Sequence, residues 1–285
     1  YAVVFDNSQG FTIWGNWGPF AAANYNMGWH SKGGHDRTFG TNAKAWDWCS
    51  VNNAGFEYYQ NAKKDGIGLP PHNPRIWVFR HQSNASCAPM LRRVWHPIGY
   101  SSNSGWSNFF INITAGRLLT YTNTLLKFAL PDIVIGTGGG YNTYDIYESV
   151  NHELSHASHF NKVGSAFWAK YVNYIITYGK KYDHPYGDAS CNNSGFCGVG
   201  EMWGYAMGYI RTYEKYQQKP KNGQSKWFQP NLLYDLMTEK ILTKKQIFDC
   251  LSSDVTSHAL LKQKMISRYP SKKDSIIAKF SRYGF

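Results

Sequence analysis

The stretch His152-Glu153-Leu154-Ser155-His156 lies inside TYDIYESVNHELSHASHF, residues 143–160, and its reading decides the fold. Asn142 or Thr143 offers a helix cap. Asp145 and Glu148 occupy the first turns, where the helix dipole favours acids, and Val150, Leu154 and Ala157 form a packing stripe. On a helix, four residues advance about 400°, so the two imidazoles come within about 40° of each other and about 6 Å apart along the axis. One metal ion spans that gap. Zinc takes imidazole nitrogen at about 2.0–2.1 Å and keeps a position for water in catalytic sites, so His152 and His156 supply half of a tetrahedron. Glu153 stands beside the ligand face, where its carboxylate can take a proton from water and pass it to a leaving amine.

A catalytic zinc needs a third protein ligand, and the scarcity of glutamate shortens the search. Beyond His156 only Glu201, Glu214 and Glu239 remain. Glu201 opens GEMWGYAMGYIRTY, a small-residue and aromatic helix suited to packing against the HExxH helix and aiming a carboxylate from its first turn. Glu214 falls near the polar end of that helix, and Glu239 adjoins Lys240 at another helix end. His159 competes with Glu201, because HELSHASH puts three imidazoles on one face. It lies about 10 Å from His152 along an unbroken helix, too far for both to bind one ion, and is expected to line the pocket, support a ligand or face solvent.

HELSH followed by Glu201 in GEMWGYAMG resembles the gluzincin class of zinc metallopeptidases, in which HExxH supplies two ligands and a downstream helical Glu the third. The resemblance covers at least residues 114–211. It implies an α+β, zincin-like fold, with a mixed sheet and the active-site helix in an N-terminal lobe and a mainly helical C-terminal lobe. Two departures stand out. Thermolysin-like members carry Asp four residues after the ligand Glu, where this chain has Tyr205. The long interval between His156 and Glu201 is similar instead to the anthrax lethal-factor-like group, whose members use a Tyr shortly before the ligand helix against the oxyanion. That likeness implies such a role for Tyr186 in HPYGD, with CNNSGFC as an insertion before Glu201; His184 and Tyr205 are alternatives, as is aromatic packing. Glu148, four residues before His152, would orient that imidazole or serve only as an N-terminal helix acid. The strand at 132–135 would be the edge on which an extended peptide adds.

Outward from the motif, residues 1–40 read as short strands and turns. Helical spacing sets in at 42–64 and closes at Asp65-Gly66, RIWVFR (75–80) reads as a strand, and 83–107 shows no regular pattern. A helix is expected at 114–129, stopped by Pro131, then the strand 132–135. Helices follow at 165–178, 200–217, 230–240, 243–252 and as a basic pair over 254–280, with Thr243/Gln246 and Ser271/Asp274 as starts. The expected organisation is a β-rich segment (1–40), an α/β lobe carrying HExxH (41–164) and a helical lobe carrying the third ligand (165–285).

The whole composition bounds the function classes. The chain has 285 residues, 42% hydrophobic, 17% aromatic and 17% charged, which excludes a disordered or charged coiled-coil protein. No apolar run reaches membrane-spanning length. The net charge of +12 comes from scattered Lys and Arg, dense only over 262–282, so nucleic acid is not the expected partner. Of the five cysteines, Cys191 and Cys197 bracket a loop short enough for a local bridge. That spacing, the start at Tyr1 and the abundance of Trp and Tyr give the expectation of a secreted or surface protein. The expected function is a zinc-dependent endopeptidase with one catalytic zinc acting on protein or peptide. The alternative is a surface glycan- or peptide-binding protein with a structural or degenerate metal site, in which Trp14, Trp17 and Trp29 stack against ligand.

Overall fold

The computed structural model describes residues 2–15, 22–30, 33, 36–80, 86–98, 131–182, 186–219 and 226–285. The expected helix at 114–129, together with Trp17 and His184, lies outside these.

The architecture is α+β. Strand β1 (Ala2–Val4) pairs antiparallel with β3 (Asn24–Asn26). Strands β2 (Thr12–Trp14), β4 (Arg75–Phe79) and β5 (Ile133–Gly136) form a parallel sheet with β4 central, Ile13 facing Ile76 and Val78 facing Ile135. The β-rich N-terminal segment thus contributes an outer strand to the sheet of the lobe that follows. Parallel neighbours need a crossover. Helix α1 (Lys44–Asp65) provides it between β2 and β4, burying Trp48, Val51, Gly55, Tyr58 and Ala62, and Gly66 closes it at φ 68°. Gly55 is required there, since a Cβ would lie 2.8 Å from the Phe11 ring.

Two sequence expectations change here. Residues without a readable pattern form α2 (Leu91–Ile98), docked by Arg92 and Arg93 on the buried Asp132 at 2.8 and 3.2 Å. The helix is short, and those ion pairs reach across more than thirty residues, which local periodicity does not register. The outer edge of β5 is also not open to a peptide. Val134 exchanges both backbone hydrogen bonds with Cys87, at 2.8 and 3.0 Å, and the Gly136 N–H donates to Ser86 Oγ. The chain's own segment seals that edge.

Helix α3 (Thr143–Tyr182) starts from a reciprocal cap between Asn142 and Asp145. Gly164, at φ 81° and ψ 174°, breaks it into two helices. A straight helix would hold residues 156 and 171 about 22 Å apart. The break folds the second half back, so that the Trp168 and Tyr171 rings lie 5.8 Å from the His156 ring. Helix α4 (Ser194–Tyr216) packs along α3. It begins within CNNSGFC, so half of that segment is its first turn rather than an inserted loop, and Glu201 sits in its third turn. No disulfide joins Cys191 and Cys197, so the expected local bridge does not form.

The remaining helices are α5 (Asn231–Thr238), α6 (Lys244–Cys250), α7 (His258–Arg268) and α8 (Lys273–Arg282). The Thr243/Gln246 capping box forms as expected. Ser271 does not start α8: it lies within a 3-10 turn, Pro270–Lys272, that precedes the helix.

Candidate metal centre

Two helices bring the site together. On α3, His152 and His156 face the same way, their Nε2 atoms 2.9 Å apart. From α4, Glu201 brings Oε2 to 3.5 Å from His152 Nε2 and 3.7 Å from His156 Nε2. A tetrahedral ion with bonds of about 2.0–2.1 Å separates its ligand atoms by about 3.4 Å, a value these three distances bracket. Glu153 stands alongside with Oε1 3.8 Å from His152 Nε2. His152, Glu153 and His156 form a buried group whose donor atoms all lie within 4.8 Å of one another.

The approach depends on glycine. Gly200, Gly204 and Gly208 recur at every fourth position along α4. A Cβ on Gly204 would lie 2.6 Å from His156 Nε2 and 3.1 Å from His152 Cε1, and one on Gly208 3.2 Å from the Glu148 carbonyl oxygen. The imidazole pair therefore rests directly on the α4 backbone.

The hydrogen bonding is incomplete in a way that fits a cation. Tyr171 donates to Glu201 Oε1, leaving Oε2 facing the histidines with no hydrogen-bond partner, and Glu153 Oε2 has none either. Buried polar atoms are normally satisfied, so two orphaned carboxylate oxygens beside two imidazoles mark a place for a positive charge. Burial raises the Glu201 carboxyl, but the His156 and His152 imidazoles outweigh it and hold the group below the usual carboxylate range. Burial, helped by His156, pushes His152 down to about 4, so this imidazole is neutral and its lone pair is free for a metal. Burial and the Glu201 charge push the Glu153 carboxyl well up, which suits a group that must carry a proton.

The other expected residues divide. Tyr186 and Tyr205 both reach the site: their hydroxyls are 2.9 Å apart, and the Tyr205 ring lies 4.3 Å from that of His152. Burial and nearby Glu201 raise both hydroxyls, so both stay protonated donors. His159 is fully buried against Phe167 and Trp168, 5.3 and 5.7 Å between ring centres, and both ring nitrogens lack hydrogen-bond partners. It packs beneath the site and does not face solvent. The Glu148 carboxylate is a partner of the Tyr144 hydroxyl.

Sequence reasoning missed Tyr171, Gly204 and Lys226. The four-residue glycine spacing was visible as a signal for close helix packing. Tyr171 had none, since it reaches Glu201 only through the break at Gly164. Lys226 follows a segment without periodicity, and its Nζ lies 4.3 Å over the Tyr205 ring.

A second polar cluster lies further along α4, where it meets the ends of α1 and α6. Arg211 on α4, buried, meets Asp65 at 2.7 Å and Glu214 at 3.1 Å, and Lys244 meets Asp65 at 3.2 Å and also Glu214. These groups, with Glu57 and Lys215, line a cavity of about 290 Å³.

No protein-family model matches the chain, and no curated protein or solved structure is similar enough to it to register as a match.

Proposed function

We propose that this protein is a zinc-dependent endopeptidase of gluzincin type with a zincin-like active-site arrangement. The observation that carries the reading is the convergence of His152 Nε2, His156 Nε2 and Glu201 Oε2 from two helices at 2.9–3.7 Å, with the Glu153 carboxylate beside them. The chemistry of the donor set, two imidazoles and one carboxylate, suits zinc and leaves a position free.

Bound there, zinc would polarise the scissile carbonyl and acidify water. Glu153 takes the proton from the attacking water on a carboxylate oxygen and delivers it to the amine nitrogen as the peptide bond breaks. Tyr171, donating to Glu201 Oε1, holds that carboxylate so that one oxygen points at the imidazoles. Within the Tyr186–Tyr205 pair one hydroxyl donates to the other, so the acceptor's own proton is free to point at the carbonyl oxygen as negative charge develops. The substrate is a protein or peptide, and the setting we infer from the aromatic-rich composition is extracellular or at the cell surface. The binding-protein alternative draws on Trp29, which is 98% exposed.

Elemental analysis of the purified protein, alongside Glu201→Ala, tests the reading. One zinc per chain, lost or strongly weakened in the variant, is the expected result. No zinc, or zinc indifferent to Glu201, would overturn it.

A further inference from the structure

Among the described residues, Lys226 is the lysine whose ammonium sits over the rings beside the metal cluster. Its Nζ lies 4.3 Å from the centre of the Tyr205 ring, 5.0 Å from Tyr186 and 5.8 Å from Phe228. Tyr205 in turn meets His152 at 4.3 Å between ring centres, so a single aromatic ring separates the ammonium from a metal-facing imidazole. Among the described residues it has no carboxylate within ion-pair distance. By contrast Lys244 pairs with Glu214 and Asp65, and Lys279 with Glu239 and Asp235, while Lys162, also partly buried, donates to the Phe248 carbonyl.

Ring faces attract an ammonium by about 0.5–2 kcal/mol but accept none of its hydrogen bonds in full strength, so the three N–H donors remain available. The side chain is only partly buried, so a ligand can reach them. The two carboxylates nearest in chemistry, Glu201 and Glu153, are committed to the imidazole pair and to proton transfer. The net charge of +12 adds a long-range attraction for anionic ligands.

We propose that Lys226 is a specificity-determining residue that receives a substrate carboxylate lying within two or three residues of the scissile bond. The proposal rests on the peptidase reading above and names its substrate class: anionic peptides, the carboxylate coming either from an Asp or Glu side chain or from a free C-terminus. The span agrees with the geometry, since the ammonium lies within about 9 Å of the His152 ring, the length of two to three extended residues. A charge-assisted hydrogen bond in a partly dehydrated site gives a large discrimination.

The test uses zinc-loaded full-length protein and one peptide core in three forms: neutral and amidated, amidated with Glu scanned through the positions flanking the cut, and neutral with a free carboxyl terminus. We expect one Glu position, or the free terminus, to raise kcat/KM about 10- to 100-fold over the neutral amidated form. K226Q should bring that ratio to about one, K226R should restore most of it, and K226E should reverse it towards a Lys-bearing peptide. The Glu-scanned and free-terminus arms tell the two sources of carboxylate apart. Equal rates for all forms, or a preference that survives K226Q, overturns the proposal. Failure to cleave any form instead counts against the peptidase reading. Lys226 is then judged by fluorescence anisotropy on E153Q protein: tighter binding of the carboxylate-bearing peptide, lost in E153Q/K226Q, supports the assignment, and equal binding removes it.

Discussion

Two charged clusters lie along α4, about 15 Å apart, one against α3 and the other against the ends of α1 and α6, and they are finished in opposite ways. Around Arg211 every buried charge has an opposite one within reach: Asp65 and Glu214 face both Arg211 and Lys244. Around Glu201 the partners are two imidazoles, of which His152 is held neutral, and two carboxylate oxygens are left without a hydrogen bond. The first cluster supplies its own counter-charges. The second sets its carboxylates against imidazoles alone, a donor set that a cation would complete. Arg211 is as buried as Glu201, but its partners Asp65 and Glu214 keep more contact with solvent than the histidines do; the sharper distinction between the clusters is the missing counter-charge.

Substitutions at the two ends should therefore fail differently. The largest effect is expected from Glu153→Gln, which keeps the size of the side chain and removes its ability to take a proton: zinc content stays at one per chain while peptide turnover drops about a thousandfold. Turnover near the native rate in a cleavage assay would sink the assigned role. Next comes Arg211→Ala, which strips one partner from a buried ion pair and costs about 3 kcal/mol of folding stability, visible in urea unfolding, with metal affinity untouched. If that variant loses zinc, the two clusters are coupled and the contrast between them breaks down.

Gly204→Ala reverses that pattern. In a helix interior the change to Ala favours the helix by about 1 kcal/mol, yet the new Cβ would sit 2.6 Å from His156 Nε2. The metal-free protein should lose little stability, while competition with a chelator should show zinc held about tenfold more weakly. Unaltered zinc affinity would mean that the imidazoles shift without cost.

A smaller effect is expected with pH in the metal-free protein. Burial lowers His152 and His258 from 6.5 to about 4 each, so in the folded state both resist protonation. Their contribution is present above pH 6.5 and is lost as pH falls from 6.5 towards 4, because the unfolded chain binds those protons first. Melting of Glu153→Gln protein, which lacks the opposing contribution of the raised Glu153 carboxyl, should drop by several degrees over that range. Zinc should raise the melting temperature but leave the drop in place, because holding the imidazole unprotonated preserves the difference in bound protons between the unfolded and folded chain. A melting temperature flat with pH would contradict the depressed state of these imidazoles.

Much of this arrangement was legible beforehand. The helix around HELSH, the capping box at Thr243, the strand at 75–79 and the choice of Glu201 over Glu214 and Glu239 all followed from spacing and from the scarcity of glutamate. Other features were hidden for identifiable reasons. Helix α2 is too short to show a period and is docked by Arg92 and Arg93 on Asp132, far along the chain. The edge of β5 looked free because the segment that seals it, at Ser86 and Cys87, carries no strand pattern. His159 shares a helical face with His152 and His156, but the fold-back at Gly164 lays Phe167 and Trp168 over it.

The amino-acid sequence by itself determined which groups can bind a cation and the local geometry of two of them, because a helix sets the angle between residues four apart. It also determined that α4 can come close, since glycine at every fourth position removes the side chains that would hold it off. Tertiary structure alone decided that Glu201 meets those imidazoles, that Tyr171 steadies its carboxylate and that Lys226 stands over Tyr205 and Tyr186. Those contacts join residues 21 to 49 positions apart, and their distances depend on a helix break and on packing between elements, which no local pattern encodes.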